Sequence, residues 1–174
     1  IPTKITVNKS FTGISADELT DAQKKAITFT LTKSGDSTPT RTVTYDQFTN
    51  GSYTFEGLEP GTYELKETGA DIDPKTYALT TTYDEVEGTS KQITTDPGTN
   101  KNVSVSVVNT YSAKPKGKLE LKKVIKDTDG HAIGVKKTYQ FIVKKGDKFV
   151  TKDGELSDAE VTIPVESARD TVIE

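Results

Sequence analysis

Along the first 112 residues the apolar positions recur every second residue, the period of a strand with one buried face. In "TKITVNKSF" (3–11) this puts Ile5, Val7, Lys9 and Phe11 on one side. The same alternation returns in "ITFTLTK" (27–33), "TRTVTYDQF" (40–48), "SYTFEG" (52–57) and "TYELKET" (62–68). It continues in "TYALTTTYDEV" (76–86), "SKQITT" (90–95) and "KNVSVSVVNTY" (101–111). One early segment departs from it. In "LTDAQKKA", Thr20 followed three residues later by Gln23 forms a capping-box pattern and predicts a short helix of about two turns. Asn50-Gly51 and Glu59-Pro60-Gly61 supply turn chemistry between strands. Many short strands with regular turn signals predict an all-β protein built as an immunoglobulin-like antiparallel β-sandwich.

The pattern pauses at "SAKPKGK" (112–118), whose small, basic and Pro/Gly residues read as an interdomain linker. It then restarts, because "KLELKKVI" (118–125) repeats the alternation and lysine placement of "KITVNKSF" (4–11). Net charge changes with it, from −5 over residues 1–112 to +2 over 113–174. The expected organisation is therefore a β-sandwich domain over 1–112, a linker over 113–118, and the start of a second, similar sandwich over 119–174. That second module has about half the length the first one uses, so it reads as incomplete. A start at Ile1 with no visible signal peptide is read as a mature or excised fragment.

Composition narrows the function. Threonine supplies about one residue in six, and Val, Ile, Tyr and Phe join it at strand positions. Cysteine is absent, which excludes disulfides, thiolate metal sites and cysteine nucleophiles. The single histidine, His131, argues against a multi-histidine metal site or a Ser-His-Asp apparatus. A net charge of −3 of mixed sign gives no reason to expect nucleic acid as a partner. No apolar run approaches the roughly 20 residues of a membrane span. No cofactor and no metal are expected.

Against this plain background three polar residues stand in apolar phase. Lys9 follows Ile5 and Val7; Glu67 follows Tyr63 and Leu65; Asn109 follows Val103, Val105 and Val107. Charge is costly in a core, so a buried lysine tends toward the neutral amine and a buried glutamate toward the neutral acid. A neutral amine is a nucleophile. A protonated carboxyl beside an amide can polarise its carbonyl and shuttle protons. Held together, amine and amide gain the effective concentration of an intramolecular reaction. The expected product is a Lys9–Asn109 isopeptide bond with loss of ammonia, and Glu67 as catalyst.

"ITVNKSF", "GLEPGTYELKET" and "VSVVNTY" resemble the signature strands of isopeptide-forming domains in Gram-positive pilins and adhesins, of the collagen-adhesin B or streptococcal backbone-pilin type. The resemblance places the reactive lysine at Lys9, the catalytic glutamate at Glu67 and the acceptor asparagine at Asn109. It implies a structural module of a cell-wall-anchored, extracellular protein that crosslinks itself once and is not a turnover enzyme. Implied partners are neighbouring pilin or adhesin domains and sortase-linked subunits. The segment 117–143 resembles the opening of another such domain and puts Lys123 at the reactive position, with its partners expected beyond Glu174.

Other features have plainer readings. Asn8, Asn50 and Asn102 match glycosylation sequons, which chance explains in so Thr- and Ser-rich a chain. "DTDG" (127–130) hints at a calcium loop but reads better as a turn. Lys114, Lys116 and Lys118 could accept a sortase linkage, although the usual "YPK" context is missing and a solvated linker is the simpler reading. The rival functions are an adhesin domain whose loops bind a host protein or glycan, and an enzyme acting on an outside substrate.

Overall fold

The computed structural model describes residues 1–131, 136–167 and 170–173, the last four by backbone alone. Two compact units are present, Ile1–Lys114 and Pro115–Glu174. In the first, the chain runs β1 (Thr3–Thr12), α1 (Asp21–Ala26), β2 (Thr28–Lys33), β3 (Arg41–Thr44), β4 (Ser52–Leu58) and β5 (Gly61–Thr68). It ends with β6 (Tyr77–Tyr83), β7 (Val86–Glu87), β8 (Ser90–Thr95) and β9 (Asn102–Ala113). One sheet has the order β4-β1-β9-β6-β7 and the other β3-β2-β5-β8. Their inner faces supply Ile5, Val7, Phe55, Val105 and Val107 from the first sheet and Phe29, Leu31, Val43, Tyr63, Leu65 and Ile93 from the second, all buried.

All strand pairs in this unit are antiparallel except one. β1 and β9 run parallel, with Ile5 opposite Val103, Lys9 opposite Val107 and Phe11 opposite Asn109. Parallel neighbours need a long crossover, and here nearly the whole domain serves as that connection. The expectation of an antiparallel sandwich holds elsewhere.

Local chemistry explains the boundaries. Thr20 Oγ1 accepts from Gln23 N at 3.2 Å, and Gln23 Oε1 accepts from Thr20 N at 2.9 Å, so α1 starts with the expected reciprocal cap. The strand expected over 40–48 stops at Thr44, and a 3₁₀ turn follows at Tyr45–Gln47. Gln47 Oε1 accepts from Thr44 N at 3.2 Å, another cap hidden in an alternating sequence. The strand expected over 76–86 breaks after Tyr83, because Asp84 and Glu85 take positive φ of 47° and 69° and form the two-residue turn into β7. Asn50 and Gly51, with φ of 49° and 74°, make the same kind of turn before β4.

The second unit holds β10 (Leu119–Lys122), β11 (Thr138–Phe141), β12 (Lys144–Lys145), β13 (Lys148–Val150), β14 (Leu156–Ser157), β15 (Ile163–Glu166) and β16 (Asp170–Ile173). β10 pairs antiparallel with β16, as β1 does with β4, and β11 pairs antiparallel with β15, as β2 does with β3. Ile163 and Val165 are fully buried, with Leu121, Phe141, Val143 and Val150 packed against them. Residues 132–135 of the expected repeat lie outside the described residues. At "DTDG", Asp127 Oδ1 accepts from the backbone N–H of Asp129 at 3.0 Å and of His131 at 2.8 Å, the signature of a turn. Among the described residues no helix is long and apolar enough to cross a membrane.

Candidate functional site

The three polar residues that stand in apolar phase meet between the sheets of the first unit. Lys9 and Asn109 project from the neighbouring strands β1 and β9, and Glu67 reaches them from β5 in the opposite sheet. Lys9 Nζ lies 3.2 Å from Glu67 Oε1, with side-chain exposures of 0% and 2%. Asn109 Nδ2 donates to the same Oε1 at 3.2 Å, and Asn109 is fully buried. One carboxylate oxygen therefore touches both the amine and the amide nitrogen.

Burial sets the charges. It lowers the Lys9 amine from 10.5 to about 8, against the opposing pull of Glu67. It raises the Glu67 carboxyl above its usual range, against the Lys9 charge and the hydrogen bonds from Lys9 and Asn109. Both shifts favour the uncharged forms, amine and acid. Lys9 Nζ meets Glu67 Oε1 at 3.2 Å, and among the described residues no other polar group satisfies it. A buried ammonium with a single polar partner leaves N–H groups unsatisfied, which is costly and favours the neutral amine. The Phe11 ring, 4.6 Å from Nζ, closes the other side.

The backbone around these groups is pinned. Lys9 N donates to Gly51 O at 2.7 Å, so the Asn50-Gly51 turn packs on β1. Glu67 N donates to Tyr83 Oη at 2.9 Å, and that hydroxyl donates onward to Thr89 O at 3.1 Å. Tyr111 Oη donates to Ala70 O at 2.6 Å, beyond the end of β5. Gly69 turns the chain at φ 76°, where an added Cβ would sit 2.0 Å from Ala26 O. Sequence reasoning missed both tyrosines, because in a strand a tyrosine in apolar phase looks like any other core residue.

The amide of Asn109 has different partners on its two ends. The carboxyl faces the amide nitrogen of Asn109, while the carbonyl oxygen Oδ1 faces away and accepts from Thr81 Oγ1 at 2.9 Å. The Glu67 oxygen thus lies against both nitrogens, and Thr81 occupies the carbonyl side. Nothing distinguished Thr81 in a chain so rich in threonine.

Lys123 follows β10 and is half-buried, with Nζ 5.0 Å from the Tyr139 ring centroid. Of the linker lysines, Lys114 is tied down, with its N–H donating to Thr76 O at 2.8 Å and its Nζ to Pro74 O. Asn8 Oδ1 accepts from Ser52 Oγ at 2.6 Å, so the first sequon side chain is engaged across the β1–β4 pair.

No curated protein matches the chain. Among solved structures it is similar to an adhesin from Mobiluncus mulieris containing intramolecular disulfide, isopeptide and ester crosslinks, with 19% identity over 63% of this chain and 41% of that one, TM-score 0.44. It is similar to the group B streptococcus pilus 2b backbone protein, with 20% identity over 63% of this chain and 41% of that one, TM-score 0.33. For the major pilin of Streptococcus pyogenes the values are 14% identity, 99% and 73% coverage, and TM-score 0.26. The chain spans about two fifths of the length of the first two structures. The model of the SpaA prealbumin-like fold domain matches residues 9–96, a stretch that begins at Lys9, includes Glu67 and stops before Asn109. With just over half of its length so matched, the chain belongs to the SpaA prealbumin-like fold domain family.

Proposed function

We propose that this chain is a structural module of a pilin or surface adhesin, anchored to the cell wall of a Gram-positive bacterium and locked by an autocatalytic Lys9–Asn109 isopeptide bond. The observation that carries the reading is the convergence of a buried amine and a buried amide on one oxygen of a buried carboxyl group. Neighbouring pilin or adhesin domains, joined in tandem or by sortase, are the partners this role implies.

The chemistry balances with the groups present. Glu67 takes a proton from the Lys9 ammonium, leaving amine and acid. Lys9 Nζ bonds to Cγ of Asn109, and the carbonyl π pair moves onto Oδ1. Nζ gives up a second proton and Nδ2 gains one, both through Glu67 Oε1, the oxygen that lies 3.2 Å from each nitrogen. The Cγ–Nδ2 bond then breaks, Nδ2 leaves as ammonia with the bonding pair, and the carbonyl reforms. The product is a neutral amide beside a protonated Glu67, so the cost of holding the Lys9 amine in the core disappears as the bond forms, while Glu67 stays buried as the neutral acid. Reaction happens once per chain. Tension applied between the ends of this unit would then run through a covalent link between β1 and β9 and bypass the sandwich between them.

Comparing intact masses of the wild type and Glu67→Ala tests the proposal. The wild type should be one ammonia lighter than its sequence mass, and Glu67→Ala should fold and keep the full mass. A folded Glu67→Ala that loses ammonia at the wild-type rate removes the catalytic role.

A further inference from the structure

The placement of Glu67 on the two nitrogens leaves a gap in the chemistry. When Nζ attacks Cγ, negative charge develops on Asn109 Oδ1 inside a core that excludes water. A preorganised donor at that oxygen is the largest single contribution to many acyl-transfer reactions. Glu67 Oε1 is engaged by both nitrogens and does not supply it.

We propose that Thr81 is a catalytic residue of the crosslinking reaction, its hydroxyl being the donor that stabilises the oxyanion formed on Asn109 Oδ1. The inference rests on the crosslinking reading above and adds a residue to it. Thr81 and Asn109 are direct cross-strand partners in the β6–β9 pair, so their side chains share the inner face. Thr81 Oγ1 donates to Oδ1 at 2.9 Å. That distance is to the ground-state carbonyl oxygen, the atom on which the oxyanion develops. The hydroxyl keeps its proton throughout; its hydrogen bond tightens as the π pair moves to Oδ1 and relaxes when ammonia leaves.

The same strand also fixes the acid. Tyr83 follows Thr81 by two residues, points to the same face and accepts from Glu67 N. β6 therefore presents one hydroxyl to the electrophile and another to the backbone of the proton carrier. A hydroxyl at position 81 is needed for speed; the threonine methyl is not.

The test follows ammonia loss by intact mass on freshly translated full-length chain, for wild type, Thr81→Val, Thr81→Ser and Glu67→Ala, with circular dichroism confirming folding. Thr81→Val should slow bond formation on the order of 100-fold. Thr81→Ser should stay close to the wild-type rate. If Thr81→Val does not fold, Thr81→Ala takes its place with the same expected loss. A wild type that crosslinks while the folded Val or Ala variant keeps pace overturns the role of Thr81 alone. Equal slowing by Val and Ser also overturns it, since packing would then be the cause. A wild type that never loses ammonia overturns the crosslinking reading and this inference with it.

Discussion

The stability that the proposed bond would confer can be isolated by replacing the residues proposed to make it with neutral near-isosteres. In Lys9→Met/Glu67→Gln the amine becomes a thioether chain against the Phe11 ring, which lies 4.6 Å from Nζ in the wild type. The glutamine carbonyl can still accept from Asn109 Nδ2. Such swaps of a buried ionic pair for matched neutral groups are often close to neutral in folding energy, so the difference from the wild type reports the crosslink. Joining Lys9 to Asn109 closes a loop of about 100 residues, for which the chain-entropy model gives about 4.7 kcal/mol. A unit of the size of Ile1–Lys114 unfolds with an entropy of roughly 0.24 kcal/mol per kelvin, so that energy corresponds to about 20 °C in Tm. Differential scanning calorimetry on the full chain should show the larger transition, that of the first unit, falling by about this amount in the double variant. A wild type verified to have lost ammonia that still melts within about 5 °C of the variant would refute the entropic argument.

Bond formation should have a bell-shaped pH dependence, because the reactive state is the one in which amine and acid together hold one mobile proton. Burial puts the upper limb near the lowered Lys9 value of about 8 and the lower limb at the raised Glu67 value. Rates of ammonia loss from newly translated chain across pH check this; a rate that climbs steadily past pH 8 would contradict the proton-shuttle role. Gly69→Ala should destabilise the first unit by at least about 2 kcal/mol, seen as a lower urea midpoint, because a left-handed φ and a contact with Ala26 O both forbid a Cβ there. An unchanged midpoint would mean that the end of β5 is not held by that contact. Limited trypsin digestion should cut the linker after Lys116 and degrade the second unit first, since its buried cluster is small; equal survival of both units would argue against this.

Much of the site was legible because a strand's period of two makes one polar residue in apolar phase conspicuous. Lys9, Glu67 and Asn109 were found that way, and the sheets bring them together. What the period does not contain is which strands become neighbours. The parallel pairing of β1 with β9 is a long-range event, and it decides that Lys9 and Asn109 come from neighbouring strands, diagonally related. Nor does the pattern reveal which polar atom faces which: it gives no sign that Asn109 Oδ1 accepts from Thr81 while Nδ2 donates to Glu67. Thr44 and Gln47 likewise fit an alternating strand as well as a cap, and only the closed turn at Tyr45–Gln47 decided between them.

The central claim is a covalent bond between two named atoms, and a tandem mass spectrum of the digested wild-type protein addresses it most directly. The account predicts one branched species in which the peptide containing Lys9 is joined to the peptide containing Asn109, lighter than their sum by one ammonia, and absent from Lys9→Met/Glu67→Gln. Recovery of both peptides separately and at full mass from folded wild-type protein would contradict it.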